Sequence, residues 1–428
     1  MGERVLVVGG GGREHALAWT LARSPRVDAV LVAPGNAGTA DEEKCRNVDL
    51  AATDIDGIVA LARDEEVAMV VVGPEDPLVA GLVDRLDEAG IRAFGPSAAA
   101  AQLEGSKSHC KDFLLRHAIP TGDAATFTDA DEALAHLAEL SAVPVIKASG
   151  LAAGKGVIVA ETSDEAAAAI RDILVDRCFG DAGDEVLLEE RLFGPEVSVL
   201  AFCDGTDFQV MPAAQDHKRL EVGDVGPNTG GMGAFHPSPN ADDELLERIG
   251  KEVIAPTLQA MIDEGRPYRG VLYAGMMLTE AGPKVIEFNC RFGDPETQVV
   301  LPLLESDLLD VFDACIDGTL ADLDIRWSPR SAVTVVMASA GYPVRSSDPT
   351  PIAGLGAAGA DDRIVFHAGT RSIDDVPHTA GGRVLAVTAV RDTLAEAADA
   401  AHAGVSAIDF AGAQHRTDIA RATAEVSL

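Results

Sequence analysis

Lysine is scarce in this chain. Only 8 of its 428 residues are lysine, and 34 lysine and arginine residues stand against 69 aspartate and glutamate residues, a formal net charge of −35. Nucleic acids and anionic membrane surfaces are bound mainly through clustered positive side chains. The composition therefore excludes both classes of partner and leaves small metabolites, which need positive charge only locally.

Cysteine is also scarce, and its spacing excludes two kinds of site. The six cysteines form no C-x-x-C pair and have no histidine pattern typical of zinc. We interpret them as reduced thiols of a cytoplasmic protein. The N-terminal apolar run is too short for a signal peptide, and no window approaches the ~18 apolar residues of a membrane-spanning helix. We therefore expect a soluble, cytoplasmic protein.

Short β-branched runs alternate with segments of helical period through residues 1–100. This alternation is typical of βαβ units around a parallel sheet. We therefore predict an N-terminal Rossmann-like α/β domain over 1–100. Its predicted strands Val5–Val8, Ala29–Ala33 and Met69–Val72 each run into a glycine- or proline-rich loop, and ligands of such sheets bind beyond the strand carboxyl ends.

The first of these loops contains four glycines, Gly9 to Gly12, just before a predicted helix. It does not fit the dinucleotide fingerprint, because Glu14 or His15 stands where the third glycine is needed. The backbone N–H groups of such a turn can bind a phosphate. A tight turn that only packs the helix on the strand is the alternative.

A second glycine-rich loop, Ser149–Gly156, lies between two predicted strands and not before a helix, so it differs from a Walker A motif. Glycine hairpins of this kind cover the phosphates of ATP. Lys107 and Lys147 precede the loop and Lys155 lies within it, and the compact charge of lysine suits phosphate. We predict an ATP-binding domain over 101–326, with a mobile lid subdomain over about 121–190.

Glu287 and Asn289 are the predicted metal ligands. Alternation along the strand Val285–Asn289 places both on one face. Their oxygens can bind Mg²⁺ together with substrate phosphates. The alternative is a strand end whose polar side chains are only solvated.

Two further segments complete the organisation. The charged run Asp216–Arg219 leads into the glycine-rich segment Gly226–Gly233, which favours a substrate loop, with a solvated loop as the alternative. Strands predicted at Val333–Met337 and Val384–Val390, followed by a helix, indicate a small C-terminal α+β domain over 327–428.

Seven motifs in a fixed order resemble one family. They are GGGGREH (9–15), PGNAG (34–38), GPEDPL (73–78), GLAAGKG (150–156), QDHKR (215–219), PNTGGMG (227–233) and EFNCRFGDPE (287–296). Together they resemble the glycinamide ribonucleotide synthetases, or phosphoribosylamine–glycine ligases, of the ATP-grasp superfamily. The resemblance runs through the whole chain.

The resemblance implies an enzyme of purine synthesis that joins glycine to 5-phospho-D-ribosylamine through a glycyl phosphate, with release of ADP and phosphate. It implies ATP and Mg²⁺ or Mn²⁺ as cofactors, small-molecule substrates and a monomer without an obligatory protein partner. Two alternatives stay open. One is another ATP-grasp ligase or carboxylase, and the other is a non-catalytic nucleotide-binding protein, against which the Glu287–Asn289 pair argues.

The resemblance also implies a role for each matching residue. The metal ligands would be Glu287 and Asn289. ATP would be bound by Lys107, Lys147, Gly150, Gly154, Lys155, Gly156, Glu189, Glu190, Arg191, Leu192 and Glu196. Phosphoribosylamine would be bound by Gly11, Gly12, Asn36, Gly38 and Glu75. The remaining substrate contacts would come from Asp216, Lys218 and Arg291, with Arg291, Asp216 and Lys147 as catalytic residues. Ser149 replaces the aspartate expected at that position.

The excess of acidic residues carries a further prediction. In concentrated salt, screening weakens the repulsion within a chain of net charge −35, so an acidic, lysine-poor composition favours adaptation to high salt. An ordinary acidic cytoplasmic protein is the alternative.

We expect the melting temperature and the activity to rise as KCl increases from about 0.1 M to about 2 M, because screening relieves this repulsion. Thermal unfolding followed by circular dichroism measures the first quantity. Sorbitol at matched osmolality is the control for effects other than screening. A melting temperature that does not change with KCl would contradict the high-salt interpretation.

Overall fold

A five-stranded parallel sheet forms the N-terminal part of the computed structural model, which describes residues 2–152 and 156–421. The strand order is β3-β2-β1-β4-β5. Its elements are β1 (Glu3–Gly9), α1 (Gly12–Ala22), β2 (Val27–Pro34), α2 (Ala37–Asp41), β3 (Cys45–Asn47), α3 (Ile55–Asp64), β4 (Met69–Val72), α4 (Glu75–Val79), α5 (Leu82–Glu88) and β5 (Ala93–Phe94). Along β1, Leu6 and Val8 pack in one apolar cluster and Val5 and Val7 in another. The strand is thus buried on both faces, as parallel sheets require.

Two helices lead out of this sheet, α6 (Ala98–Gly105) and α7 (Lys107–Arg116). The pattern from Gln102 to Arg116 predicts a single helix, and this prediction is wrong at Ser106, where the structure divides the helix. The backbone of Ser106 is extended (φ −139°, ψ 114°), and its hydroxyl accepts a hydrogen bond from the backbone N–H of His109. A side-chain cap of this kind starts a new helix, and it makes Lys107 the first residue of α7.

The segment predicted to form the lid, residues 121–190, contains a four-stranded antiparallel sheet of order β6-β9-β7-β8 with two helices. Its elements are β6 (Ala124–Phe127), α8 (Ala130–Glu139), β7 (Val145–Ala148), β8 (Val157–Val159), α9 (Ser163–Leu174) and β9 (Val186–Glu189). Its buried residues, among them Ile146 and Ile170, form an apolar cluster of their own. A separate small core is what a subdomain needs in order to move as a unit.

The central sheet has the order β11-β10-β16-β17. The elements of this part are β10 (Glu196–Asp204), β11 (Phe208–Val210), β12 (Gln215–Asp216), β13 (Arg219–Glu221), β14 (Val225–Asn228), β15 (Gly233–His236), α10 (Asp243–Ile249), α11 (Ala255–Asp263), β16 (Arg269–Thr279), β17 (Gly282–Asn289), α12 (Thr297–Val300) and α13 (Leu308–Asp317). Strands β10 and β16 pair along their length from Glu196 to Asp204. Strand β17 forms the edge and ends at Asn289.

The C-terminal sheet has the order β12-β15-β18-β22-β19. Its further elements are β18 (Ser331–Ala338), α14 (Leu355–Ala358), β19 (Arg363–His367), β20 (Thr370–Ile373), β21 (Val376–Thr379), β22 (Arg383–Arg391) and α15 (Leu394–Ala407). Strand β15 pairs with β18, so this sheet takes two strands from the segment before residue 327. The predicted domain limits stay predictions. The C-terminal sheet, however, contains strands from both sides of the limit predicted at residue 327.

The predicted fold class is confirmed in its architecture: a parallel α/β sheet, a central part of two sheets and a smaller C-terminal α+β part follow one another along the chain. Among the described residues, no helix combines the length and the apolarity needed to cross a bilayer.

Candidate active site

Four of the lysines that the structure describes gather at one site. They are Lys107 and Lys111 on α7, Lys147 on β7 and Lys218 after β12. All four contribute to the charge around two carboxylates, the buried Glu189 at the end of β9 and the half-buried Glu287 near the end of β17. In a chain of net charge −35, this concentration of positive charge is suited to an anion.

Glu189 lies between two of these lysines. Its Oε1 is 2.5 Å from Nζ of Lys111, and its Oε2 forms an ion pair with Lys147. The three side chains are all less than 6% exposed. An entering phosphate would therefore compete with Glu189 for Lys147.

Sequence reasoning missed Lys111. Lys107 and Lys111 are four residues apart on α7, which places them on the same helix face. This spacing is the signal that could have identified it. Lys107 itself donates from Nζ to the carbonyl of Gly150 at 3.1 Å, at the beginning of the predicted ATP loop.

Glu287 and Asn289 share one face of β17, while Phe288 between them is 2% exposed and packs in the core. Burial acts to raise the pKa of Glu287, but the charges of Lys218, Lys147, Lys107 and Arg291 outweigh it and lower the pKa. The carboxylate is therefore ionised and surrounded by cations. This donor set fits Mg²⁺ or Mn²⁺, which take oxygen ligands and complete their shell with water and phosphate.

Within residues 2–152 and 156–421, no group of three or more histidine, cysteine, aspartate or glutamate side chains could hold a metal ion. Two protein oxygens alone are a weak site. The geometry thus suits an ion that arrives with the phosphates of a nucleotide and not one that is bound permanently.

Asp216 and Lys218 form the opposite wall. Burial raises the pKa of Asp216 to about 7, helped by Glu296, Glu196 and Glu287 and opposed by Lys218. Nζ of Lys218 is 3.5 Å from Oε2 of Glu196, which lies at the start of β10. A carboxyl group that titrates near neutral pH can accept or release a proton during a reaction.

Arg291 connects the metal-ligand candidate Asn289 with Glu75 of the N-terminal part. Its guanidinium meets oxygens of Glu104 at 2.7 Å, Asn289 at 3.1 Å, Glu75 at 3.2 Å and the carbonyl of Phe292 at 3.3 Å. These contacts leave little of the guanidinium free for a two-pronged bond to a glycine carboxylate. Glu104, which we had not predicted, also accepts from the backbone N–H of Cys290 at 2.6 Å.

The alternating charges continue from Glu75 into the first glycine loop. Oε2 of Glu75 is 3.9 Å from Nη1 of Arg13, whose Nε bonds Oε1 of Glu14 at 2.5 Å. The other oxygen of Glu14 accepts from the N–H of Gly11 at 2.6 Å. We call this series, from Glu104 through Arg291, Glu75 and Arg13 to Glu14, the charge chain. It joins the N-terminal loops to the group formed by Lys107, Lys111, Lys147 and Lys218, which we call the lysine cluster.

Close packing favours glycine in those loops. A Cβ at Gly12 would lie 2.5 Å from Nε2 of Gln298, and one at Gly38 would lie 2.4 Å from a ring carbon of His15. The side chain of Asn36 caps α2 and donates to the carbonyls of Gly10 at 3.0 Å and His367 at 2.8 Å. Its predicted role toward a substrate stays a prediction, since its bonds here are to the protein.

The segment after β9 lies between the lid and β17. Oε2 of Glu190 is 3.2 Å from Nζ of Lys284, and Nη2 of Arg191 is 3.0 Å from Oε1 of Glu161. Leu192 is half-buried beside them. Gly150 donates its N–H to the carbonyl of Ala182, and Gly156 accepts from the N–H of Ala148. Gly154 and Lys155 lie outside the described residues.

Ser149 takes a different part from that of an aspartate. Its hydroxyl lies 2.7 Å from the hydroxyl of Ser108 and 3.2 Å from that of Ser106. Its carbonyl accepts from the N–H of Lys107 at 2.8 Å. Ser149 therefore ties the end of β7 to the start of α7, which places Lys147 and Lys107 side by side.

Models of three domains of one family match the chain in order. They are described as the phosphoribosylglycinamide synthetase N domain (residues 3–104), ATP-grasp (A) domain (105–297) and C domain (332–422). Together they span nearly the whole chain. This chain belongs to the phosphoribosylglycinamide synthetase family. The resemblance inferred from the motifs is thereby confirmed.

Curated members of the synthetase family match at high identity. Phosphoribosylamine–glycine ligase of Xanthomonas campestris is 54% identical over 97% of both chains, and that of Vibrio parahaemolyticus is 50% identical over 97% of both. The trifunctional purine biosynthetic protein adenosine-3 of Gallus gallus is 54% identical over 98% of this chain and 42% of its own length.

Solved structures agree with this assignment. Phosphoribosylamine–glycine ligase of Thermotoga maritima superimposes with a TM-score of 0.84 at 31% identity, over 97% of this chain and 100% of its own. The biotin carboxylase domain of Hydrogenobacter thermophilus 2-oxoglutarate carboxylase has a TM-score of 0.76 at 16% identity, covering 97% and 92% of the two chains. The second likeness shows that the synthetase shares its fold with carboxylases.

The charge chain makes a prediction about stability. Burial acts to raise the pKa of Glu75, but Arg291 and Arg13 outweigh it and lower the pKa to about 2. Because the unfolded value is ~4.3, ionised Glu75 stabilises the fold above that pH, and this contribution is lost as the pH falls toward 2. We expect Glu75→Gln to reduce the free energy of unfolding by about 2 kcal/mol at pH 7.

Urea unfolding at pH 7, 5 and 4 checks this, since the difference from the wild type should shrink only at the lowest pH. Asp76→Asn is the matched control. The neighbouring Asp76 is exposed, and burial and Glu75 raise its pKa, so its removal should cost no stability at pH 7. Equal stability of Glu75→Gln and the wild type at pH 7 would contradict the charge chain.

Proposed function

We propose that this synthetase-family chain joins glycine to 5-phospho-D-ribosylamine, with cleavage of ATP to ADP and phosphate. One observation carries the proposal. The lysine cluster around Glu287 and the N-terminal glycine loops, two sites suited to phosphate groups, are joined by the charge chain. The names of the curated relatives support the choice of substrates.

Lys107 and Lys147 would hold the phosphates of ATP, and the carbonyl and N–H groups of the segment from Glu189 to Leu192 would meet its base, with Glu196 at the ribose. The carboxylate of Glu287 and the amide oxygen of Asn289 would bind Mg²⁺ or Mn²⁺. Such an ion neutralises phosphate charge as it develops in phosphoryl transfer. The ligand atoms do not distinguish between the two metals, because both prefer oxygen donors.

The reaction needs an activated carboxylate, because an oxide ion is too poor a leaving group for an amine to displace at neutral pH. We infer that one carboxylate oxygen of glycine attacks the γ-phosphorus of ATP and gives glycyl phosphate and ADP. The amine of phosphoribosylamine then attacks the acyl carbon and expels phosphate. Asp216, with its pKa of about 7, is suited to accept the proton that the amine loses.

For Arg291 we propose a more limited part than a two-pronged bond to the glycine carboxylate, which a planar guanidinium can form. Since protein oxygens already surround its guanidinium, we propose that it acts mainly by fixing Glu75 beside the lysine cluster. Glu75, Gly11, Gly12, Asn36 and Gly38 would then form the phosphoribosylamine side of the site, with Lys218 and Asp216 on the glycine side.

A coupled assay of ADP release tests the function, with freshly prepared phosphoribosylamine. The proposal expects ADP only when ATP, glycine and phosphoribosylamine are all present. Bicarbonate and other amino acids in place of glycine are the controls for a related ligase or carboxylase. ADP release that does not depend on glycine and phosphoribosylamine would overturn the proposal. The cytoplasmic location, the monomeric state and the high-salt adaptation stay predictions.

Glu287→Gln tests the metal assignment. We expect kcat to fall by ~100-fold or more, because the variant loses the negative ligand of the ion that neutralises phosphate charge. Glu280→Gln is the matched control, since Glu280 is exposed at the turn between β16 and β17. Steady-state kinetics at millimolar Mg²⁺, with melting temperatures of both variants, provide the measurement. Full activity of Glu287→Gln would contradict the assignment.

A further inference from the structure

A second cluster of ion pairs lies where the C-terminal segment meets the hairpin β13–β14. Arg416 is 1% exposed. Its Nε and Nη2 bond the two carboxylate oxygens of Asp418 at 2.8 and 2.7 Å. Its Nη1 bonds Oδ1 of Asp224 at 2.5 Å and the carbonyl of Arg219 at 3.1 Å. Asp224 and Arg219 belong to the hairpin, so one guanidinium joins two segments about 200 residues apart in sequence.

The carboxylate of Asp418 adds a third attachment. Its Oδ2 also accepts from the backbone N–H of Gly223, in the hairpin turn, at 2.9 Å. The residues of β14 are all exposed, so apolar packing contributes little to holding this strand in place. The hairpin turn is therefore held against the body of the protein by polar contacts to Arg416 and Asp418.

The hairpin is continuous with the candidate active site. Lys218 directly precedes β13, and its carbonyl accepts from the N–H of Thr229 at 2.7 Å and from the Thr229 hydroxyl at 2.8 Å. Asp216 lies two residues further back, in β12. A displacement of the hairpin would thus move the backbone that carries Lys218 and Asp216.

The C-terminal segment itself is held by other contacts. Ile419 is fully buried in the apolar cluster of the C-terminal sheet, and its carbonyl lies 3.1 Å from Nε2 of His402 on α15. Arg416 is therefore not needed to attach this segment. Burial of an arginine is costly unless the charge is paired. Here Asp418 of the same segment supplies one counter-charge and Asp224 of the hairpin supplies the other.

We propose that Arg416 is a positioning residue for the reaction, because it fixes the hairpin Arg219–Asn228 and with it Lys218 and Asp216. The part that concerns substrates rests on the proposed function. Removal of Arg416 leaves Asp224 and Asp418 without their shared cation, so the turn should detach from the C-terminal segment while the cores stay intact.

Hydrogen exchange of the full chain, followed by mass spectrometry, tests the attachment. The variants are Arg416→Lys, which keeps the charge and loses the planar fork, and Asp224→Asn, which removes the hairpin carboxylate that bonds Arg416. Asp224 Oδ1 also lies 3.6 Å from Nδ1 of His217, so an effect is assigned to Arg416 only where both variants show it. The control is Arg421→Ala, whose side chain pairs with Asp399 on the surface. We expect peptides from the hairpin to exchange about tenfold faster in both variants and β18 to exchange as in the wild type.

Steady-state kinetics test whether displacement of the hairpin impairs the reaction. Both variants should raise the KM for glycine by about tenfold, with the KM for ATP within about twofold of the wild type, whereas Arg421→Ala should change neither. A loss confined to folding would instead lower the active fraction and leave both KM values unchanged.

Unchanged exchange of the hairpin in both variants would overturn the proposal. Faster exchange with unchanged kinetics would overturn the positioning role. If Arg416→Lys fails to fold, the hydrogen exchange and the kinetics of Asp224→Asn decide whether the proposal holds. If the wild type releases no ADP with glycine and phosphoribosylamine, the proposed function fails, while the exchange measurement still shows whether Arg416 fixes the hairpin.

Discussion

Buried positive charge is the constraint on which this site depends. Lys111 and Lys147 are almost inaccessible to solvent, and a charge withdrawn from water is costly unless a counter-charge compensates it. Glu189 and Glu287 supply that charge in this structure. Both carboxylates lie at strand ends, and Ser106 and Ser149 place α7 against β7 so that the lysines converge. Such a site favours phosphates, because they are negatively charged like the carboxylates and can replace them as partners of the lysines.

The charge chain continues this pairing of buried cations with carboxylates toward the N-terminal sheet. Arg291 lies between two carboxylates with different environments: the pKa of Glu75 is lowered to about 2, whereas burial raises the pKa of Glu104. The lysine cluster and the N-terminal loops are therefore linked electrostatically. Binding of a ligand at one of them should change the affinity of the other for its ligand. Arg416 shows the principle again at the opposite wall, where a single buried guanidinium fixes the hairpin next to Lys218.

Much of this arrangement could be read from local sequence. Strand alternation placed Glu287 and Asn289 on one face, and the shortage of lysine made Lys107 and Lys147 conspicuous. Contacts between distant segments could not be read in this way. Glu104, Arg13 and Arg416 act through partners some 190 or more residues away, which no periodicity reveals. The pairing of β15 with β18 was hidden for the same reason. The glycine loops left two interpretations open, and the close approaches at Gly12 and Gly38 show that packing accounts for part of their composition.

The central claim is that this site transfers a phosphoryl group from ATP to the carboxylate of glycine before the amine attacks. Glycine labelled with ¹⁸O in both carboxylate oxygens tests it most directly, with mass analysis of the released phosphate. Because one oxygen stays in the amide and the other bridges to phosphorus, the account predicts one labelled oxygen in each phosphate formed. Phosphate without label, released at the same rate as the amide product, would contradict it.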